Sequence, residues 1–196
     1  MSCVLTENGL PVPASALFPS LFTTHIGTRP SVWVGCLACF TAGVLRGVWT
    51  RAENASSITP ADLHEWETAH EELWVFDYEG LPSRIGEMPP STAQLWGDVF
   101  AEVGEERWAA FLAWTENGGH FADAHGIPDL DSFDDRYLGT WSTFGEYLAE
   151  EIELLQEGWP EDAVRYFDEG AYERDARFDY TVLDAPDGGV YVFRDC

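Results

Sequence analysis

The chain of 196 residues carries 35 Asp and Glu against ten basic residues, all of them arginine, for a formal charge of -25. That balance excludes a nucleic-acid binder and a protein drawn to anionic membrane, since both polyanions would repel it, and it points to a partner rich in basic side chains. With 45% hydrophobic and 14% aromatic residues, the chain is too apolar for a disordered acidic tail and has the bulk for one large domain or a few small ones.

Residues 1–50 hold one acid, Glu7, and two arginines, while residues 51–196 hold the other 34 acids and eight arginines. The asymmetry argues for an acidic working surface. The competing reading is a compositional drift of the kind that salt adaptation or a GC-rich genome produces.

Residues 1–28 are rich in proline and small polar residues without a clean period and read as a poorly ordered leader. They show neither the basic n-region nor the apolar run of a secretory signal, and no stretch approaches the ~20 apolar residues of a membrane span. The four cysteines, Cys3, Cys36, Cys39 and Cys196, therefore read as reduced thiols of a cytoplasmic protein.

Ser31 to Cys39 and Val44 to Thr50 are expected as strands, followed by a short helix capped by Thr59, with Pro60 at its first position and Asp62 three residues on. Glu72 to Asp77 supplies a third strand. Cys36-Leu-Ala-Cys39 spells CxxC, but zinc usually needs a second pair or histidines at ligand spacing, and a redox pair needs a helix N-terminus. At the end of an apolar strand the motif makes no case for either, and neither metal nor cofactor is expected.

Ser91-Thr-Ala-Gln94 reads as a capping box opening a helix in which Leu95, Trp96, Val99, Phe100 and Val103 recur at helical spacing. Trp108, Phe111 and Leu112 mark a second helix that stops at Asn117-Gly118-Gly119. Thr143-Phe-Gly-Glu146 opens a third that runs to Gln156 or Glu157, where Gly158 and Pro160 end it, and a further helix is expected from Glu161 to Glu169. A hairpin of Tyr180 to Leu183 and Val190 to Arg194 closes the chain.

In the helix after Thr143, Phe144, Leu148 and Leu155 fall on one side, and Glu146, Glu150, Glu153 and Glu157 form a stripe opposite. Like charges at i,i+4 cost a few tenths of a kcal/mol per pair, and no basic residue lies between Arg136 and Arg165 to relieve them. A partner bearing arginine and lysine would repay that repulsion. Asp98, Glu102 and Glu105 form a shorter stripe beside the apolar face of the earlier helix. Four carboxylates over roughly 16 Å are sparser than DNA phosphate, so several faces would have to combine to imitate a duplex. Taken singly, each stripe also fits a merely solvated helix face.

Catalytic signatures are lacking. His70-Glu71-Glu72 lacks the second histidine of HExxH, there is no GxSxG or Walker loop, and His25, His64, His70, His120 and His125 show no ligand spacing. The run from His120 to Asp135, with Asp123, His125, Asp129, Asp131, Asp134 and Asp135, does not fit the EF-hand register, yet it supports a rival reading as a metal-dependent acidic enzyme.

Ser31-Val-Trp-Val-Gly-Cys-Leu-Ala-Cys39, Gly47-Val-Trp49 and Glu71-Glu-Leu-Trp-Val-Phe-Asp77 resemble the N-terminal sheet of the ArdA antirestriction proteins. Tyr137-Leu-Gly-Thr-Trp141, Phe144-Gly-Glu-Tyr147, Leu154-Leu155, Pro160-Glu161, Tyr166-Phe167-Asp168 and Arg174-Asp175 are similar to that family's C-terminal part, and Val190-Tyr-Val-Phe193 to its final strand. The resemblance covers residues 29–196. Residues 1–28 have no counterpart in the pattern, and Gly158 stands where another acid is expected.

The resemblance implies an α+β fold, an elongated chain of three small domains: a sheet domain over 29–88, a helical domain over 89–134 and a C-terminal α+β domain over 135–196. It implies a homodimer without catalytic activity, carried by mobile elements, that mimics double-stranded DNA and occupies the DNA channel of type I restriction-modification enzymes. A dimer would present about 50 negative charges, the phosphates of ~25 base pairs. The expected mimic surface comprises Asp98, Glu102, Glu105, Glu146, Glu150, Glu153, Glu157, Glu161, Asp162 and Asp168. The resemblance also implies an antirestriction motif near the dimer contact, matched here by Leu154 to Asp168, and Leu154, Leu155, Tyr166 and Phe167 within it are the expected dimer seam. The same surface suits a DNA mimic aimed at other DNA-binding proteins.

Overall fold

The computed structural model describes residues 29–64, 66–118 and 122–195. The leader expected over 1–28, together with His120, Phe121 and Cys196, lies outside the described residues.

A run of alternating and then continuously buried residues makes Ser31–Cys36 (β1) the centre of the first sheet. Gly47–Arg51 (β2) and Leu73–Glu79 (β3) flank it, both antiparallel, in the order β2-β1-β3. The strand expected through Cys39 stops at Cys36, because the chain turns there into a short helix, Leu37–Thr41 (α1). The second strand likewise begins at Gly47 rather than Val44, since Gly43 with φ +77° and the exposed Val44 and Leu45 belong to the turn. The helix expected after Thr59 is Pro60–Leu63 (α2), and the Asp62 carboxylate accepts from both the backbone N–H and the hydroxyl of Thr59.

Pro90–Val103 (α3) and Glu105–Asn117 (α4) cover the first sheet's side of the core. The helix α3 starts one residue before the expected cap, with Pro90 at the first helical position, where its missing N–H costs nothing. Trp96, Val99, Phe100 and Val103 are buried as their spacing predicts, whereas Leu95 faces solvent. Trp108 is fully buried and donates from Nε1 to the Gly80 carbonyl at 2.9 Å, so its polar atom is satisfied. One cluster of buried side chains runs from Val32, Val34 and Val75 through α3 and α4 to Phe133, Tyr191 and Phe193.

The second sheet has the order β4-β6-β5, antiparallel throughout: Tyr137–Trp141 (β4), Tyr180–Asp184 (β5) and Val190–Arg194 (β6). The closing hairpin lies where the sequence places it, and β4 adds a third strand that no pattern announced. Phe144–Leu155 (α6) packs Phe144, Tyr147, Leu148 and Ile152 inward, and Leu155 is exposed, since Ile152 rather than Leu155 completes the i, i+4, i+8 row from Phe144. The single helix expected over Glu161 to Glu169 is two: Glu161–Arg165 (α7) and Glu169–Ala176 (α8). Asp168 causes the break, because its side chain caps α8 by accepting from Ala171 N. The two sheets and their helices make an α+β fold.

Candidate functional site

Thr143 Oγ1 accepts from Glu146 N at 3.2 Å and the Glu146 carboxylate accepts from Ser142 N at 3.0 Å, which fixes the start of α6 and hence the direction of its polar face. Glu146, Glu150 and Glu153 project to solvent along that face. Glu157 follows in the turn beyond it and is exposed too. Glu150, Glu153, Glu157 and Leu154 line one shallow groove, three carboxylates around an apolar side chain.

All ten sequence-predicted acids are exposed. Asp98 and Glu102 stand on α3, but Glu105 opens α4 beyond the bend at Gly104, so the shorter stripe is divided between two helices. Glu161 and Asp162 begin α7, and Asp168 caps α8. Among the described residues, arginines pair with Glu53, Asp134, Asp162 and Glu173, and of the ten acids only Asp162 takes part, with Arg165 at 3.6 Å. The acidic excess is not neutralised within the chain.

Of the expected seam residues, Leu154 is 73% exposed and Tyr166 82% exposed, and Leu155 is also open. Phe167 is half-buried, edge-on to Trp159 and beside Tyr172. Val164 and Phe178 are exposed apolar residues as well.

Sequence reasoning passed over Glu151, which lies one residue off the stripe. Its carboxylate accepts from the hydroxyls of Tyr147 (3.1 Å), Tyr172 (3.3 Å) and Tyr180 (2.7 Å), tying α6 to α8 and β5. Burial first, and then the Tyr180 hydroxyl and the Glu151 carboxylate, push the Tyr147 hydroxyl well above the ordinary phenol range, so it stays a donor. Three tyrosines at separated positions gave no local signal of this junction.

The run from His120 to Asp135 does not form a ligand cluster among the described residues. Asp123 caps a turn, accepting from the N–H groups of His125 and Ile127; Asp131, Asp134 and Asp135 are exposed on the helix Leu130–Arg136 (α5), and Asp134 pairs with Arg107. The convergence is elsewhere. Cys36, Cys39, His64 and His70 bring one ligand atom each to within 4.8 Å of one another, correcting the reading that the histidines lack ligand spacing. Burial raises the Cys39 thiol and lowers His64, the nearby Arg46 charge adding to the latter. Residues 66–70, which lead into β3, have no regular structure, which is why no periodic spacing revealed the histidines.

No curated protein matches the chain. The family described as antirestriction protein (ArdA) matches residues 32–191, from the second residue of β1 to the second residue of β6, and the chain belongs to that family.

Proposed function

We propose that the protein blocks restriction by presenting its carboxylates as a mimic of double-stranded DNA, and that its target is the DNA channel of a type I restriction-modification enzyme. The observation that carries this reading is the fate of the ten acids: every one faces solvent, and the arginines leave nine of them unpaired. Holding like charges along α6 without relief is costly for a solitary domain and favourable for one that meets a basic channel. Inhibition then needs no catalytic group, metal or cofactor at this surface. The paired faces of a homodimer, joined across Leu154, Leu155, Tyr166 and Phe167, would bring the surfaces of two copies into one longer acidic track.

The test is a titration of a purified type I restriction-modification enzyme, reading both DNA binding and cleavage. Stoichiometric loss of DNA binding supports competition for the channel. Loss of cleavage with DNA binding intact overturns mimicry, and no inhibition at any ratio overturns the target.

A further inference from the structure

We propose that Cys36, Cys39, His64 and His70 form a structural zinc site that staples the first sheet to the segment leading into β3. The inference is independent of the acidic surface. Cys36 ends β1 and Cys39 lies in the first turn of α1, so the strand-to-helix corner presents both sulfurs to one point; His64 follows α2 and His70 precedes β3.

Zinc bonded to sulfur at about 2.3 Å and to nitrogen at about 2.0–2.1 Å sets tetrahedral ligand-to-ligand separations of roughly 3.3–3.8 Å. The Cys36 Sγ to His70 Nδ1 distance is 3.3 Å, Cys39 Sγ to His70 Nδ1 is 3.5 Å, and Cys39 Sγ to His64 Nε2 is 3.9 Å. Two thiolates with two imidazoles are the borderline-soft donor set that selects zinc, and four protein ligands close the coordination shell as a structural rather than a catalytic site does.

Without a metal the same cluster is poorly satisfied. Two thiols, both weak donors, face one His70 nitrogen. His64 is 8% exposed, and among the described residues its Nδ1 has no hydrogen-bond partner and its Nε2 meets only a sulfur at 3.9 Å. A metal bond to Nε2 would give that nitrogen the strong partner it lacks and leave the ring proton on Nδ1. The apolar packing here is slight: Cys36, Cys39 and Leu63 form a separate small cluster with Ile58 and Leu73 against it. Small cores of this kind are where metals serve as staples. Binding one Zn²⁺ to two neutral thiols and two neutral imidazoles releases two protons, so the centre stays uncharged and the acidic excess of the chain is unchanged.

The experiment uses the tag-free full chain, purified from zinc-supplemented culture under mild reduction, with bound metal measured by mass spectrometry. The expected result is about one zinc per chain. A cobalt-substituted sample should show thiolate-to-metal charge-transfer bands with tetrahedral ligand-field bands. Cys39→Ser should lose the zinc, and His125→Ala, at an exposed histidine outside the cluster, should keep it. Should Cys39→Ser fail to fold, the cobalt spectrum of the unaltered chain decides. Absence of retained zinc, a cobalt spectrum without thiolate bands, or full zinc in Cys36→Ser/Cys39→Ser would each overturn the site.

Discussion

Glu150 and Glu151 are sequence neighbours on α6 that carry different burdens. Glu150 is exposed and accepts a single bond, from Trp141 Nε1 at 3.2 Å, which an amide oxygen can also accept. We expect Glu150→Gln to change stability by less than about 0.5 kcal/mol. Glu151→Ala removes the acceptor of three part-buried phenols and should cost about 2 kcal/mol or more, read from urea denaturation. Equal effects would show that the phenols find other partners. Two further acids give a pH signature. The Thr59 hydroxyl and N–H hold Asp62 below the usual carboxylate range, and the Ile127 N–H, with smaller help from His125, does the same for Asp123. The unfolded chain then binds more protons as pH falls, so the contribution is full above the unfolded value near ~3.9 and is lost below it, through the lowered folded values. Asp123→Asn should make the acid limb of the stability profile shallower.

Gly97 in the middle of α3 shows why an element's sequence and its position can disagree. A glycine costs roughly 1 kcal/mol against alanine in a helix interior. Here an added Cβ would lie 2.2 Å from Glu53 N and 2.5 Å from its Cα, backbone atoms of the 3-10 turn Ala52–Ser57 on which α3 packs. Gly97→Ala should therefore destabilise by about 1–3 kcal/mol rather than stabilise, and a raised Tm would refute the close approach. Such proximity is invisible to periodicity, which nevertheless placed Trp96, Val99, Phe100, Trp108 and Phe111 in the core because a helix pattern reports burial directly. The hairpin over Tyr180–Asp184 and Val190–Arg194 was legible for a similar reason, apolar runs around a Gly-rich turn. The short strand β4 was not, since five residues with a central glycine pair with β6 from over 45 positions away. Local signals also gave the exposed carboxylates, whereas Glu151 and the Cys/His cluster depend on tertiary convergence between elements far apart in sequence.

At the scale of the whole molecule the charge of -25 acts twice, with opposite dependence on salt. Within one chain the acids repel, and salt at 0.1 M, with a Debye length of about 10 Å, screens that repulsion, so Tm should rise as sodium chloride is added. Between the protein and a basic channel the same screening removes attraction, so inhibition should weaken steeply over the same range. A protein merely adapted to salt would share the first trend and not the second. The proposed dimer would double the charge that one channel meets. Leu154→Glu with Tyr166→Glu places charge on the two most exposed of the proposed seam residues while adding to the acidity of each chain. If the seam is there, light scattering should report a monomer that folds normally yet inhibits less, despite its greater charge. Undiminished inhibition by that monomer would show that one chain suffices, and a dimer that persists would move the seam elsewhere. A salt-independent inhibitory midpoint would instead place the affinity in apolar contacts and remove charge as its source.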